Sequence, residues 1–180
     1  MSHFKYVREK LFIENTAVLN IVKKNKTPFY LYSEKQIKEN YFNFVKIFRN
    51  INPLICFAAK ANTNLTIMKM LGKLGSGADV VSGGELLKAL KAGIKPNKIV
   101  FSGVGKTEEE LKLAIKKKIL LINVESESEA ILINKIGKRT NEVISVGFRL
   151  NPNVDAKTHK KISTGKAENK FGVSIKDFSS

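Results

Sequence analysis

The sequence predicts an α/β fold built on a parallel sheet, and three observations carry that reading. Short runs rich in apolar and β-branched residues, at 54–59, 78–81, 98–101, 119–124 and 143–150, have the length of strands buried on both faces. Amphipathic helical patterns separate them, and the strand centres recur about every 20 to 25 residues, the length of one βα unit. Strict alternation of apolar strand and amphipathic helix places helices outside a parallel sheet.

The helices announce their starts. In a capping box a Ser or Thr accepts from the amide three residues on, and a Glu or Gln at that position reaches back. This pattern is present at Ser33 with Gln36, Ser82 with Glu85, Thr107 with Glu110, and Ser126 with Glu129. A fifth helix is expected from Asn64, on the spacing Leu65, Met68, Leu71, with its stop in the glycine-containing stretch 72–77. Gly93 and Gly137 stand where glycines would terminate two others.

Two architectures share this alternation, the open doubly wound sheet and the closed eightfold barrel. No G-x-G-x-x-G follows the first strand, which counts against a dinucleotide fold. About five βα units are present, whereas a barrel requires eight, so a barrel here would be incomplete.

Composition narrows the function classes. Apolar residues make up 43% of the 180 and charged residues 27%, an ordinary globular balance that excludes a wholly disordered chain. The net charge of +16 attracts polyanions. The lysines, however, are scattered over many helices with partners such as Glu108 for Lys112, and no aromatic stacking motif or recognition helix accompanies them, so nucleic acid is not the expected partner. Cys56, the single cysteine, allows no intrachain disulfide and reads as a small buried hydrophobe of a cytoplasmic protein. His3, His159 and Cys56 are too far apart in sequence to suggest a metal site. No signal peptide is read at the start, and no apolar stretch approaches the roughly 20 residues that span a bilayer, so no membrane association is expected.

Parallel α/β folds gather functional groups at the C-terminal ends of their strands. In order, those ends supply Lys60, the segment 79–85, the segment 102–106, the segment 123–125 and the segment 149–151. Lys60 ends an apolar run after two alanines; burial there would favour the free amine that covalent chemistry needs, but on spacing alone a strand-end lysine snorkelling into water is the better reading. Asp79 inside an apolar strand requires a partner, and Lys60 or Arg149 is the natural one. Ser82-Gly83-Gly84-Glu85 lets backbone amides approach a ligand, but is also an ordinary capped helix start. The stretch 102–107 lacks the first glycine of a phosphate-binding P-loop, which removes the nucleoside-triphosphatase reading. The polar segment 158–172 by itself reads as a solvated loop.

These segments together resemble one family. Thr27-Pro28-Phe29-Tyr30-Leu31-Tyr32-Ser33, Cys56-Phe57-Ala58-Ala59-Lys60-Ala61-Asn62, Gly75-Ser76-Gly77-Ala78-Asp79-Val80-Val81-Ser82-Gly83-Gly84-Glu85-Leu86, Val100-Phe101-Ser102-Gly103-Val104-Gly105-Lys106-Thr107, Arg149-Leu150-Asn151-Pro152, and the run from Lys157-Thr158-His159 through Ser163-Thr164-Gly165 to Asn169-Lys170-Phe171-Gly172 occur in the order of the N-terminal portion of the diaminopimelate decarboxylase family.

That resemblance implies an alanine racemase-like (β/α)8 barrel that binds pyridoxal 5′-phosphate, with residues 28–180 as its partial barrel and 1–27 as a segment leading in. It further implies that Lys60 holds the cofactor as a Schiff base, that Asp79 and Arg149 lie around it, and that Lys170 lies near the interface of a homodimer. The implied reaction is decarboxylation of meso-2,6-diaminopimelate to L-lysine and carbon dioxide. Another diamino-acid decarboxylase of the superfamily, and a small single-domain pyridoxal-phosphate carrier, are the nearer alternatives. Because the family's polypeptide continues for about as long again, the 180-residue chain is expected to be a fragment that neither folds stably nor decarboxylates alone, with an exposed parallel edge at its last strand.

Overall fold

The structure, a computed structural model, describes residues 3–154 and 172–174. The chain forms two compact units, Met1–Pro53 and Leu54–Ser180.

The first unit opens with an antiparallel meander, β1 (Phe4–Val7), β2 (Lys10–Ile13) and β3 (Thr16–Ala17), followed by α1 (Val18–Val22) and α2 (Glu34–Ile47). Ser33 caps α2 by accepting from the Gln36 amide. Its hydroxyl donates in turn to the Glu14 carboxylate at 2.7 Å, and the same oxygen accepts from the Lys35 amide at 3.0 Å. Those bonds fasten α2 to the turn after β2 within this unit.

The second unit carries five parallel strands, β4 (Cys56–Ala58), β5 (Gly77–Val80), β6 (Ile99–Phe101), β7 (Leu121–Val124) and β8 (Val146–Phe148). Four helices connect them: α3 (Leu65–Lys73), α4 (Gly83–Lys91), α5 (Glu108–Lys116) and α6 (Glu127–Thr140). The strand order is β4-β5-β6-β7-β8. A doubly wound sheet reverses its strand order at a switch point. Here every strand pairs with the next in sequence, which is the progression of a barrel wall. A short parallel pair, β9 (Leu150–Asn151) with β10 (Val173–Ser174), completes the described strands.

The pleat alternates side chains between two environments. Ala78 and Val80, Ile99 and Phe101, and Ile122 and Val124 are buried beneath the helices, against Met68, Leu86, Ala89, Leu111, Ala114, Ile133 and Ile136. Burying each large member of that set stabilises the fold by roughly 1.5–3 kcal/mol. Asp79, Val100, Asn123 and Gly147 face the other way and are only partly covered. The strands therefore carry a period-2 signal beneath their continuous apolar appearance. Val146 and Phe148 on β8 are exposed, and β8 pairs in this sheet with β7 alone among the described residues.

Glycine decides one close approach. A Cβ on Gly77 would lie 2.3 Å from the Lys98 carbonyl oxygen and 2.7 Å from Cys56 Sγ, so β5 can run between its neighbours only without a side chain there.

The helix signals hold with informative departures. Only Thr107 and Glu110 close a reciprocal capping box. Ser82 and Ser126 accept as expected, but their glutamates reach one residue further back, Glu85 to the Val81 amide at 2.8 Å and Glu129 to the Glu125 amide at 3.0 Å. Gln36 turns instead to Asn40. Gly93 follows α4 as expected, whereas Gly137 does not end α6: the helix runs to Thr140 with Asn141 as its cap. Gly137 is instead a place of close packing, because a Cβ there would come within 3.1 Å of the Glu142 carbonyl oxygen and of Ile144, tighter than ordinary contact.

Candidate active site

The strand ends named from sequence converge on one cavity of about 630 Å³, lined by Lys60, Asp79, Val81, Ser102, Gly103, Val104, Asn123, Glu125 and Arg149. Lys60 stands in a single 3-10 turn, Ala59–Ala61, directly after β4. Asp79 is in β5 and Asn123 in β7, both on the inward-facing register, while Ser102, Glu125 and Arg149 each follow the last residue of a strand.

Lys60 is exposed, as the snorkelling reading of a strand-end lysine has it, and the buried amine of the other reading is not found. The reason is geometric: a turn carries it beyond the strand end, and the inner face of the sheet is only partly covered. Among the described residues its amine has no hydrogen-bond or ion-pair partner, and Lys60 lines the cavity.

Asp79 is partnered, though by neither residue expected. Ser102 Oγ donates to Asp79 Oδ1, and Asn123 Nδ2 donates to Ser102 Oγ at 3.0 Å. One hydroxyl thus links β5, the end of β6 and β7 in a continuous polar chain across the cavity floor. The hydroxyl acts as donor and acceptor at once, which a strand-end serine can do and a lysine cannot.

Arg149 pairs with Glu125, Nη1 to Oε1 at 3.1 Å. Glu125 is the most enclosed charge lining the cavity, its side chain 3% exposed against 37% for Arg149. Its carboxylate also accepts from the Gly103 amide at 3.2 Å and the Gly172 amide at 3.0 Å. A buried carboxylate with this many donors is compensated for its loss of water. Sequence reasoning reached Glu125, Ser102 and Asn123 only as members of strand-end segments. Their strand-end position was the available signal; their pairings depend on the register between strands.

A second strand-end lysine has the opposite environment. Lys106 is 1% exposed at its side chain and pairs with Glu129 at 2.6 Å. Cys56, half-buried on β4, has its thiol held above the ordinary range by burial, with the nearby Asp79 charge adding to the effect. Among the described residues no group of three or more His, Cys, Asp or Glu is placed to hold a metal ion, and no helix is long and apolar enough to cross a membrane. The 158–171 part of the polar segment singled out from sequence, including Lys170, lies outside the described residues.

Comparison with known proteins bears on this cavity. The family model for the pyridoxal-dependent decarboxylase, pyridoxal binding domain, matches residues 34–180. A diaminopimelate decarboxylase from Helicobacter pylori is 53% identical over 152 residues, covering 84% of this chain and 38% of that protein. The crystal structure of diaminopimelate decarboxylase from M. jannaschii in complex with L-lysine superposes with a TM-score of 0.88 at 43% identity, over 97% of this chain and 42% of that one. The H. pylori enzyme complexed with L-lysine gives a TM-score of 0.87 at 49% identity, over 89% and 41%. The chain spans about two fifths of the length of these relatives.

Proposed function

Since the chain belongs to the pyridoxal-dependent decarboxylases, through their pyridoxal binding domain, we propose that its strand-end cavity takes pyridoxal 5′-phosphate and that Lys60 holds the cofactor covalently. The five-stranded sheet is part of that family's alanine racemase-like barrel.

The observation that carries the reading is the contrast between the two strand-end lysines. Lys60 faces the cavity without a partner among the described residues, so its amine is available to an aldehyde. Lys106 has its ammonium enclosed by oxygen acceptors and is withdrawn from reaction. The cavity also fits the cofactor chemically, since it sets a cation, Arg149, and a carboxylate, Asp79, around a lysine, with the backbone of Gly103 as a side-chain-free stretch of wall.

When bound, pyridoxal phosphate supplies an electron sink for the pair of electrons left on carbon as a carboxylate departs as carbon dioxide. The residues of this chain provide the surroundings. Lys60 anchors. Asp79, oriented by Ser102 and Asn123, places a negative charge beside the amine's cavity. Arg149, oriented by Glu125, offers a cation within reach of an anionic group.

The substrate is meso-2,6-diaminopimelate and the product L-lysine, a reading supported by the family and by the L-lysine complexes of the similar structures. The protein is further read as a cytoplasmic homodimer whose partner is a small amino acid and not nucleic acid. The single cysteine, the scattered lysines and the family likeness support this.

Incubation with pyridoxal phosphate, borohydride reduction and peptide mapping tests the proposal. The pyridoxyl group is expected on Lys60. Label spread over surface lysines, or found on Lys106, would overturn it. The 180 residues alone are not expected to release carbon dioxide from meso-2,6-diaminopimelate, so the covalent label and not turnover is the readout.

A further inference from the structure

Lys106 spends all three of its ammonium protons inside the protein. Nζ donates to the Gly103 carbonyl at 2.7 Å, the Asn123 carbonyl at 2.7 Å and Glu129 Oε1 at 2.6 Å, and it lies 5.7 Å from the centre of the Phe101 ring. A buried ion pair repays its desolvation only when the remaining donors and acceptors are satisfied as well. Here they are, and the acceptors are not scattered. Gly103 lines the cavity, and the Asn123 carbonyl belongs to a residue whose side chain lines it.

The bonds form a closed circuit. Lys106 binds the Gly103 carbonyl; the Gly103 amide donates to Glu125 Oε1; the Glu125 amide donates to Glu129 Oε2; and Glu129 Oε1 returns to Lys106. Through this ring the loop after β6, the end of β7 and the start of α6 are held as one piece. The only side chain in the ring that faces the cavity is Glu125, and Glu125 is the partner of Arg149.

We propose that Lys106 is a positioning residue: its circuit with Gly103, Glu125 and Glu129 sets one wall of the cofactor cavity and, through Glu125, the direction of Arg149. The inference rests on the reading of the cavity as a pyridoxal-phosphate site. Lys106 itself does not line the cavity.

The variant Lys106→Met keeps the unbranched side chain to within one atom of its length and removes its donors. Cofactor affinity, followed by absorbance titration with pyridoxal phosphate, is expected to fall about tenfold, because apparent affinity scales with the fraction of molecules holding the competent arrangement. Hydrogen exchange is expected to quicken at the Gly103 and Glu125 amides, while the Gly77 amide, bonded to the Ile55 carbonyl on the far side of the sheet, keeps its protection. Met68→Ala, a core variant in α3, supplies the stability control.

An affinity loss in Met68→Ala equal to that of Lys106→Met at equal loss of stability would reduce the role to general stability and overturn the proposal. So would unchanged affinity in Lys106→Met, or exchange that quickens uniformly. Should Lys106→Met fail to fold, Glu129→Gln decides by the same readouts, since a single amide oxygen replaces the two that accept from Lys106 and from the Glu125 amide and its NH2 group is a donor, which opens the ring; an affinity drop of about threefold is expected there, and none would overturn the proposal. If the unaltered protein takes up no cofactor, it is the functional reading that fails, and the exchange pattern alone still decides whether the circuit holds the wall.

Discussion

The Ser102 hydroxyl donates to the Asp79 carboxylate across the β5 and β6 pair while accepting from the Asn123 amide, so one oxygen sets the direction of two polar side chains on the cavity floor. Ser102→Ala removes both bonds at once. A half-covered site pays the lower end of the cost of unpaired polar groups, about 1 kcal/mol. A lower urea midpoint with an unchanged slope is expected, and a midpoint equal to that of the unaltered protein would show that the chain contributes nothing.

Gly77→Ala is expected to be among the most damaging small substitutions in the second unit. Its methyl group would press on the Lys98 carbonyl oxygen, which belongs to the backbone and cannot swing aside. Overpacking of this kind costs about 1–3 kcal/mol. Gly84→Ala is the paired control, because its Cβ would meet only Ser82 Oγ at 3.9 Å. Equal urea midpoints for the two variants would contradict the packing argument.

Glu110 joins two helix starts, accepting from the Gly83 amide at 2.7 Å and the Thr107 amide at 3.0 Å. The Gly83 bond first, and the Thr107 bond second, hold its carboxyl below the ordinary value of 4.5. A depressed folded-state value means that the stabilisation is complete above the ordinary range and is lost as pH falls through the folded value. The difference in urea midpoint between the unaltered protein and Glu110→Gln should therefore be full at neutral pH and shrink in acid. A difference that grows on acidification would reverse the sign.

Cys56 should react slowly. Burial raises its thiol above the ordinary range, the Asp79 charge adds to the rise and the Lys98 charge only partly offsets it. The reactive thiolate is thus scarce at neutral pH. Alkylation by iodoacetamide is expected to be much slower in the folded protein than in urea; equal rates would show an open, ordinary thiol.

The legible part of the site was its membership. Strand ends, where parallel folds collect polar groups, supplied the segments that hold Lys60, Asp79 and Arg149, the family resemblance singled out those three, and all three line the cavity. Their partners were not legible. Asp79 finds Ser102 and Arg149 finds Glu125, and each choice depends on which residues the strand register sets side by side. Lys106 shows the same limit in a sharper form, since nothing local distinguishes a saturated, buried lysine from the many solvated ones in a chain of charge +16.

By itself, then, the amino-acid order determined the alternation of strand and helix in the second unit and the starts of its capped helices, since hydrophobic spacing and caps such as Thr107 with Glu110 act within a few residues, while the meander β1–β3 and α1 carried no signal that was read. Tertiary structure alone decided that the strands follow one another around a wall, that Gly137 serves packing and not a helix end, that Lys60 is exposed and that Lys106 is enclosed. Each of these depends on atoms distant in sequence meeting across a pleated sheet, where a shift of one residue would turn every side chain to the opposite face.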